Sequence, residues 1–377
     1  MRGFALFLSF ILCLCSLLFL LGAGKALRSE PKAYVLMEAE TKAVLEEHNS
    51  DLKLNAGYLT KLMSILLIAE KIDKGELSMS DILTASESVK NTKGSVIWLE
   101  SGDKLSVEEL LKSVIIGNAN DALTVLAESA SGDINTFVMD MNAKAFDLGM
   151  RNTFYSAPYG YYCNEEYTTA RDIAVVCSEL AKYTFLTPFF SAWRDFVKNG
   201  KVELVNENKL TKSYGLHIGF KACHSDESGY CIAECGRNDG GDTFIAVSLG
   251  AENEDISYNT VKTLLKKAFR KYKVTLTMFP DEMLKPLAVI GGTESAVETG
   301  LAIQGKVTVE KEKRDLRTKV VYPEYINAPV HIGQPIGSAA FYSGDTLVYE
   351  SEIVAKKDIP ALSFNFVFRS MLLKMIE

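Results

Sequence analysis

From Lys61 to Ile72 the chain runs for about three helical turns with only Lys61, Ser64, Glu70 and Lys71 polar. A helix apolar on nearly every side has no face for water, so it requires a domain large enough to enclose it. The 377 residues supply that, with enough chain left for a second, smaller domain. At 47% hydrophobic and 24% charged, the composition is that of an ordinary folded protein.

The N-terminus reads as a targeting segment. Arg2 gives a positive start, Phe4 to Ala23 is almost wholly apolar, and Gly24-Lys25-Ala26 offers small residues for cleavage. A signal peptide over residues 1–26 is the expectation; an uncleaved anchor is the alternative, because about 20 apolar residues can span a bilayer. Either way the remainder is exported. The net charge of −7 becomes more negative once Arg2 and Lys25 are removed. No basic stripe is visible, and a chain this acidic lacks the phosphate contacts on which nucleic-acid binding rests. Of seven cysteines, Cys13 and Cys15 lie in the leader. Cys163, Cys177, Cys223, Cys231 and Cys235 remain, an odd number without zinc spacing, with room for one disulfide among the last three.

Ala33–Glu38 and Ala43–Glu47 read as a hairpin, and Ser106-Val107-Glu108-Glu109 opens a helix with a capping-box pattern. Asp121–Ser129 and Ala170–Lys182 read as helices, residues 228–250 as paired strands, and Tyr258–Tyr272 as a basic-ended helix. Helices before and after a sheet make an α+β domain. After Met278 the sequence turns to short alternating runs rich in Val, Gly and Thr, an all-β pattern, with Pro280 and Pro286 marking the linker. At the end, Phe364, Val367, Phe368, Met371, Leu372 and Met375 fall on one helical face. That helix is too short to span a bilayer and suits the membrane surface; packing on the β domain or on a partner is the alternative.

The segments "AYVLMEAETKAVLEEHNSD" from Ala33, "GSVIWLESGDKLSVEELLKSVIIGNANDALTVLAE" from Gly94, "YTTARDIA" from Tyr167, "SGYCIAECGRNDGGDTFIAVSLGA" from Ser228 and "APVHIGQPIGSAAFY" from Ala328 occur in an order that resembles one family. It is that of the D-alanyl-D-alanine carboxypeptidases, the low-molecular-weight penicillin-binding proteins. The resemblance covers nearly the whole chain after the leader. It implies a β-lactamase/penicillin-binding-protein-like α+β domain over residues 27–278, a small all-β domain over 279–360 and a membrane-associating helix over 361–377. It also implies a place at the extracytoplasmic face of the membrane, peptidoglycan stem peptides or a cell-wall protein as partner, and no cofactor or metal.

Chemistry in this family rests on Ser-x-x-Lys, Ser-x-Asn and Lys-Thr-Gly. The first sets a serine nucleophile one turn before a lysine base. The second adds a proton-shuttling serine and an asparagine for the substrate amide. The third is an edge strand that grips the terminal carboxylate. Ungapped counting from Asn49 puts the nucleophile position on Tyr58, giving Tyr58-Leu59-Thr60-Lys61. The second element falls on Asn118-Ala119-Asn120, and the third on His217-Ile218-Gly219, after a loop shortened around Ser213-Tyr214-Gly215. Lysine, asparagine and glycine survive; both serines, the third lysine and the threonine do not.

A literal Ser-x-x-Lys at Ser50-Asp51-Leu52-Lys53 lies in the polar link before the helix, where its two ends share no helical face. A tyrosine ionises more readily than a serine, but its ring carries the oxygen well beyond a serine's reach and fills the slot. His217, neutral at pH 7 when unperturbed, and Ile218 are poor carboxylate partners. The four histidines are scattered, and only His217 and His224, seven apart, come near one another. The expectation is a catalytically inactive homologue with a binding or regulatory role. The alternatives are an active carboxypeptidase with Tyr58 acylated and Lys61 as base, or a peptidase of altered substrate.

Overall fold

The computed structural model describes residues 30–374, apart from 161–164, 213–214, 216, 277–278, 280–282, 304 and 313–314. The expected leader, with Cys13 and Cys15, lies outside the described residues, as do Cys163, Ser213, Tyr214, Met278, Pro280 and Met375.

In chain order the principal elements of the large domain are β1 (Ala33–Glu38), β2 (Val44–His48), α1 (Lys61–Asp73), α2 (Val107–Ile115), α3 (Asn120–Ser131), α4 (Ile134–Asp147), α5 (Ala170–Leu180), β3 (His217–Ser225), β4 (Gly229–Arg237), β5 (Thr243–Ala251) and α6 (Glu254–Lys271). The strands form one antiparallel sheet in the order β2-β1-β5-β4-β3, which leaves β3 at an edge. The expected hairpin is β1–β2, and β1 also pairs with β5 from the far end of the domain.

Alternation along the strands fixes what lies on each side of the sheet. Val35, Met37, Ala233, Ile245 and Val247 face one core with Leu62, Ile65 and Leu66 of α1. Leu36, Ile232, Phe244 and Ala246 face the other, against Val261, Leu264 and Leu265 of α6. Each of the Val, Leu, Ile, Phe and Met side chains among them contributes about 1.5–3 kcal/mol by leaving water. The apolar run is therefore a helix between the sheet and the helical lobe of α2, α3 and α4. Even Lys61 and Ser64 are buried in it, and Ser64 Oγ donates to Pro158 O at 2.9 Å.

The capping box is present: Ser106 Oγ accepts from Glu109 N at 3.2 Å, and the Glu109 carboxylate accepts from Ser106 N at 3.4 Å. Asn253 caps α6 from Ile256 N, so that helix begins four residues before the expected Tyr258. α4 is an element the sequence reading lacked.

Beyond α6, Tyr272–Leu276 pairs with Lys306–Glu310, so strand pairing crosses the boundary expected at residue 278. The remaining strands between Leu287 and Ala355 form two small sheets around Val289, Val297, Ile336, Ile353 and Ile359. A last helix, α7, spans Phe364–Lys374. Among the described residues no single helix is long and apolar enough to cross a membrane.

Candidate active site

A single 3-10 turn, Gly57–Thr60, delivers the chain into α1. Its neighbour Gly160 stands at φ +66°, and a Cβ there would run into the carbonyl oxygen of Gly57. Glycine is required by that contact as well as by the backbone angle. Thr60, buried behind the turn, donates to the Glu166 carboxylate. Tyr58 is half-buried, and the fully buried Lys61 places its Nζ over the tyrosine ring, 4.0 Å from the centroid. The same Nζ donates to Asn118 O at 2.7 Å. An amine over a ring face meets the π cloud; the phenol oxygen lies in the ring plane, away from it. Among the described residues Lys61 hydrogen-bonds to this carbonyl and to no hydroxyl. Burial, then the nearby charge of Lys221, hold the Lys61 amine well below its usual range.

The second element turns sharply at Asn118, whose φ of +57° is left-handed. That twist aims its carbonyl at Lys61 and lets α3 begin at Asn120. Asn120 is tied by its N–H to Ser95 O at 2.7 Å and by Nδ2 to Lys93 O at 2.6 Å. Asp121 accepts from Ile97 N and Leu99 N, which fixes the strip over the helix start. Asn118 Oδ1 and Asn120 Oδ1 are buried with no hydrogen-bond partner among the described residues.

His217, Ile218 and Gly219 occupy the first part of β3, where pairing is irregular between His217 and Gly219. Gly219 packs so tightly on Phe190 that a Cβ would collide with it. The part of β3 that reaches the Tyr58 turn is Lys221-Ala222-Cys223. Cys223 Sγ donates to Ala56 O at 3.4 Å, and a Cβ on Gly57 would sit 3.2 Å from that sulfur. Lys221 points to the same side, is buried, and donates to Val114 O at 3.0 Å and Ile115 O at 2.9 Å. Lys221-Ala222-Cys223 thus follows the expected His217-Ile218-Gly219 along β3, and Cys223 is the residue of the strand that bonds to the turn. The available signal was a single lysine inside the otherwise apolar strand Ile218–Cys223, just ahead of the Ser225–Gly229 turn.

Tyr58 opens on a cavity of about 330 Å³ whose far wall is His224, Ser225, Asp226 and Glu227. Two carboxylates there oppose an incoming ligand carboxylate. His224 stacks on Tyr230, with ring centroids 4.0 Å apart. Among the described residues no group of three or more His, Cys, Asp or Glu is placed to hold a metal. Of the literal Ser-x-x-Lys, Ser50 donates to Glu47 at 2.5 Å while the Lys53 amine lies over the Tyr167 ring, so the two face different partners.

Comparison with known proteins agrees with this architecture. A family model described as D-alanyl-D-alanine carboxypeptidase matches residues 23–253, and one described as penicillin-binding protein 5, C-terminal domain, matches residues 255–361. The D-alanyl-D-alanine carboxypeptidase DacF of Bacillus subtilis is 32% identical over 351 residues, covering 92% of this chain and 90% of that protein. DacC of Escherichia coli is 27% identical, covering 88% and 84%. The crystal structure of penicillin-binding protein 5 from Haemophilus influenzae superposes with a TM-score of 0.80 at 23% identity, covering 88% of this chain and 97% of that one.

The buried lysines give the protein a pH signature. Burial lowers Lys221 to about 8 from 10.5. The folded state then holds that proton less tightly than the unfolded chain, so stability is lowest below the folded value and recovers as pH rises toward 10.5. Relative to Lys221→Met, the wild type gains on the order of 2 kcal/mol between about pH 8 and pH 10. Denaturant melts of both proteins across that window measure it, and a difference independent of pH contradicts it.

Proposed function

Because the chain belongs to the D-alanyl-D-alanine carboxypeptidase family, we propose that it keeps that scaffold as a catalytically silent binding or regulatory protein of cell-wall metabolism. One observation carries the reading: the Lys61 amine lies over the ring of Tyr58 and bonds a carbonyl, so the residue at the base position addresses no hydroxyl among the described residues. Acyl transfer needs a nucleophile whose proton the base can take within hydrogen-bond reach.

Two further features support it. Lys221, the lysine of β3, is sealed in with both its bonds spent on the end of α2. The open wall of the cavity carries Asp226 and Glu227 instead. A binding role is supported by the unpartnered Asn118 Oδ1 and Asn120 Oδ1. Buried acceptors of this kind cost about 1–3 kcal/mol each, a cost that a site retained for a ligand's N–H groups accounts for. The ligand is a peptidoglycan stem peptide or a cell-wall protein that meets the same groove.

Incubation with an acyl-D-Ala-D-Ala peptide tests the silent site. D-Alanine release stays at the buffer background in the wild type and in Tyr58→Phe alike. Release above background that disappears in Tyr58→Phe would establish the tyrosine as nucleophile and end this reading.

The protein acts at the extracytoplasmic face of the membrane, exported by the leader, and rests on α7. Phe364, Val367, Phe368 and Met371 share a helical face and are exposed, Phe364 at 82%. Eleven residues span roughly 16 Å, about half the hydrocarbon core, so the helix lies in the surface. The exported protein floats with phosphatidylethanolamine/phosphatidylglycerol vesicles, and a form truncated after Ala361 does not. Equal flotation of the two sinks the membrane role of α7.

A further inference from the structure

The one-face alternation that brings Cys223 to the Tyr58 turn also sets it against a second cysteine. Cys223 and Cys231 are direct partners across the β3–β4 ladder, and both side chains point to the α1 side of the sheet. Opposed residues of an antiparallel pair have Cα atoms about 4.5–5.5 Å apart, inside the range of about 4.4–6.8 Å that a disulfide spans. Both are free thiols in this structure. Cys223 is 6% exposed and Cys231 1%, so Cys223 is the one nearer to solvent. Cys231 lies behind it, bonded to Ser228 O at 3.4 Å and accepting from Gly250 N at 3.5 Å.

We propose that Cys223 and Cys231 form a redox site, closing to a reversible cross-strand disulfide at the expense of a low-molecular-weight disulfide and thereby altering the turn that carries Tyr58. Cys223 loses its proton, attacks one sulfur of the incoming disulfide and expels a thiolate. Cys231 then attacks the Cys223 sulfur and expels the second thiolate. Two cysteine thiols are oxidised, one external disulfide is reduced, and the two cysteine protons end on the two expelled thiolates. The hydrogen bond with Cys223 and the Gly250 N–H favour the Cys231 thiolate, which suits it to the resolving step. Cys223 is held high by that same hydrogen bond and by burial, so the first attack is the slow one. Closure draws the Cys223 sulfur away from Ala56 O, the carbonyl that also accepts the Leu59 amide within the Tyr58 turn.

The test uses the native full chain treated with glutathione disulfide, then denatured, alkylated and mapped by mass spectrometry. The expected result is one peptide pair joined through Cys223 and Cys231, lighter by two hydrogens, with two fewer alkylatable thiols and full recovery by dithiothreitol. Cys235→Ala gives the same link, and Cys231→Ala leaves Cys223 carrying glutathione. Full alkylation of both cysteines in the treated wild type overturns the proposal, as does a link from either to Cys163, Cys177 or Cys235. Hydrogen exchange of the Ala56–Thr60 amides rises in the linked protein; exchange unchanged by the link overturns the coupling to the turn.

Discussion

A lysine amine enclosed at the start of a buried helix organises this molecule. Lys61 is the first residue of α1 and is wholly buried, so its polar end requires a partner inside the protein. It finds two: the carbonyl of Asn118, presented by a left-handed backbone turn, and the face of the Tyr58 ring. Those contacts join the 3-10 turn, the loop before α3 and, through the charge of Lys221, the edge strand β3. Three segments far apart in sequence therefore meet around one nitrogen.

The exchanges fit one another. A tyrosine ring over Lys61 covers the position from which a smaller side chain would reach the amine. Lys221 is buried and donates to two carbonyls at the end of α2. Cys223 packs against Ala56 and Gly57, beneath the turn. The result is a penicillin-binding-protein fold with Asp226 and Glu227 lining the pocket beside Tyr58.

Much of the fold was legible in the sequence because period and composition agreed. The run from Lys61 is helical and buried; Ser106 and Glu109 form their box; β1 and β2 pair as a hairpin. α4 was missed because only Phe137, Met141 and Ala145 are buried in it, one residue per turn, which leaves a thin apolar stripe. At the site, Tyr58, Lys61, Asn118 and Asn120 were each placed at a fixed offset from a strongly patterned helix, and the structure brings the Lys61 amine to the Tyr58 ring and the Asn118 carbonyl. Strand register was not legible, since an irregular β3 start carries no periodicity that reports it. The residue of β3 that bonds to the turn is Cys223, beyond the expected His217-Ile218-Gly219.

Among the described residues no side-chain oxygen hydrogen-bonds to the Lys61 amine, and the silence proposed for the site rests on that. Intact-mass spectrometry of the folded protein after prolonged incubation with benzylpenicillin measures this directly, since the drug reports the acylation step alone. An unchanged mass is expected. A stoichiometric gain of one drug molecule, mapped to Tyr58 or to any hydroxyl lining its cavity, would contradict it.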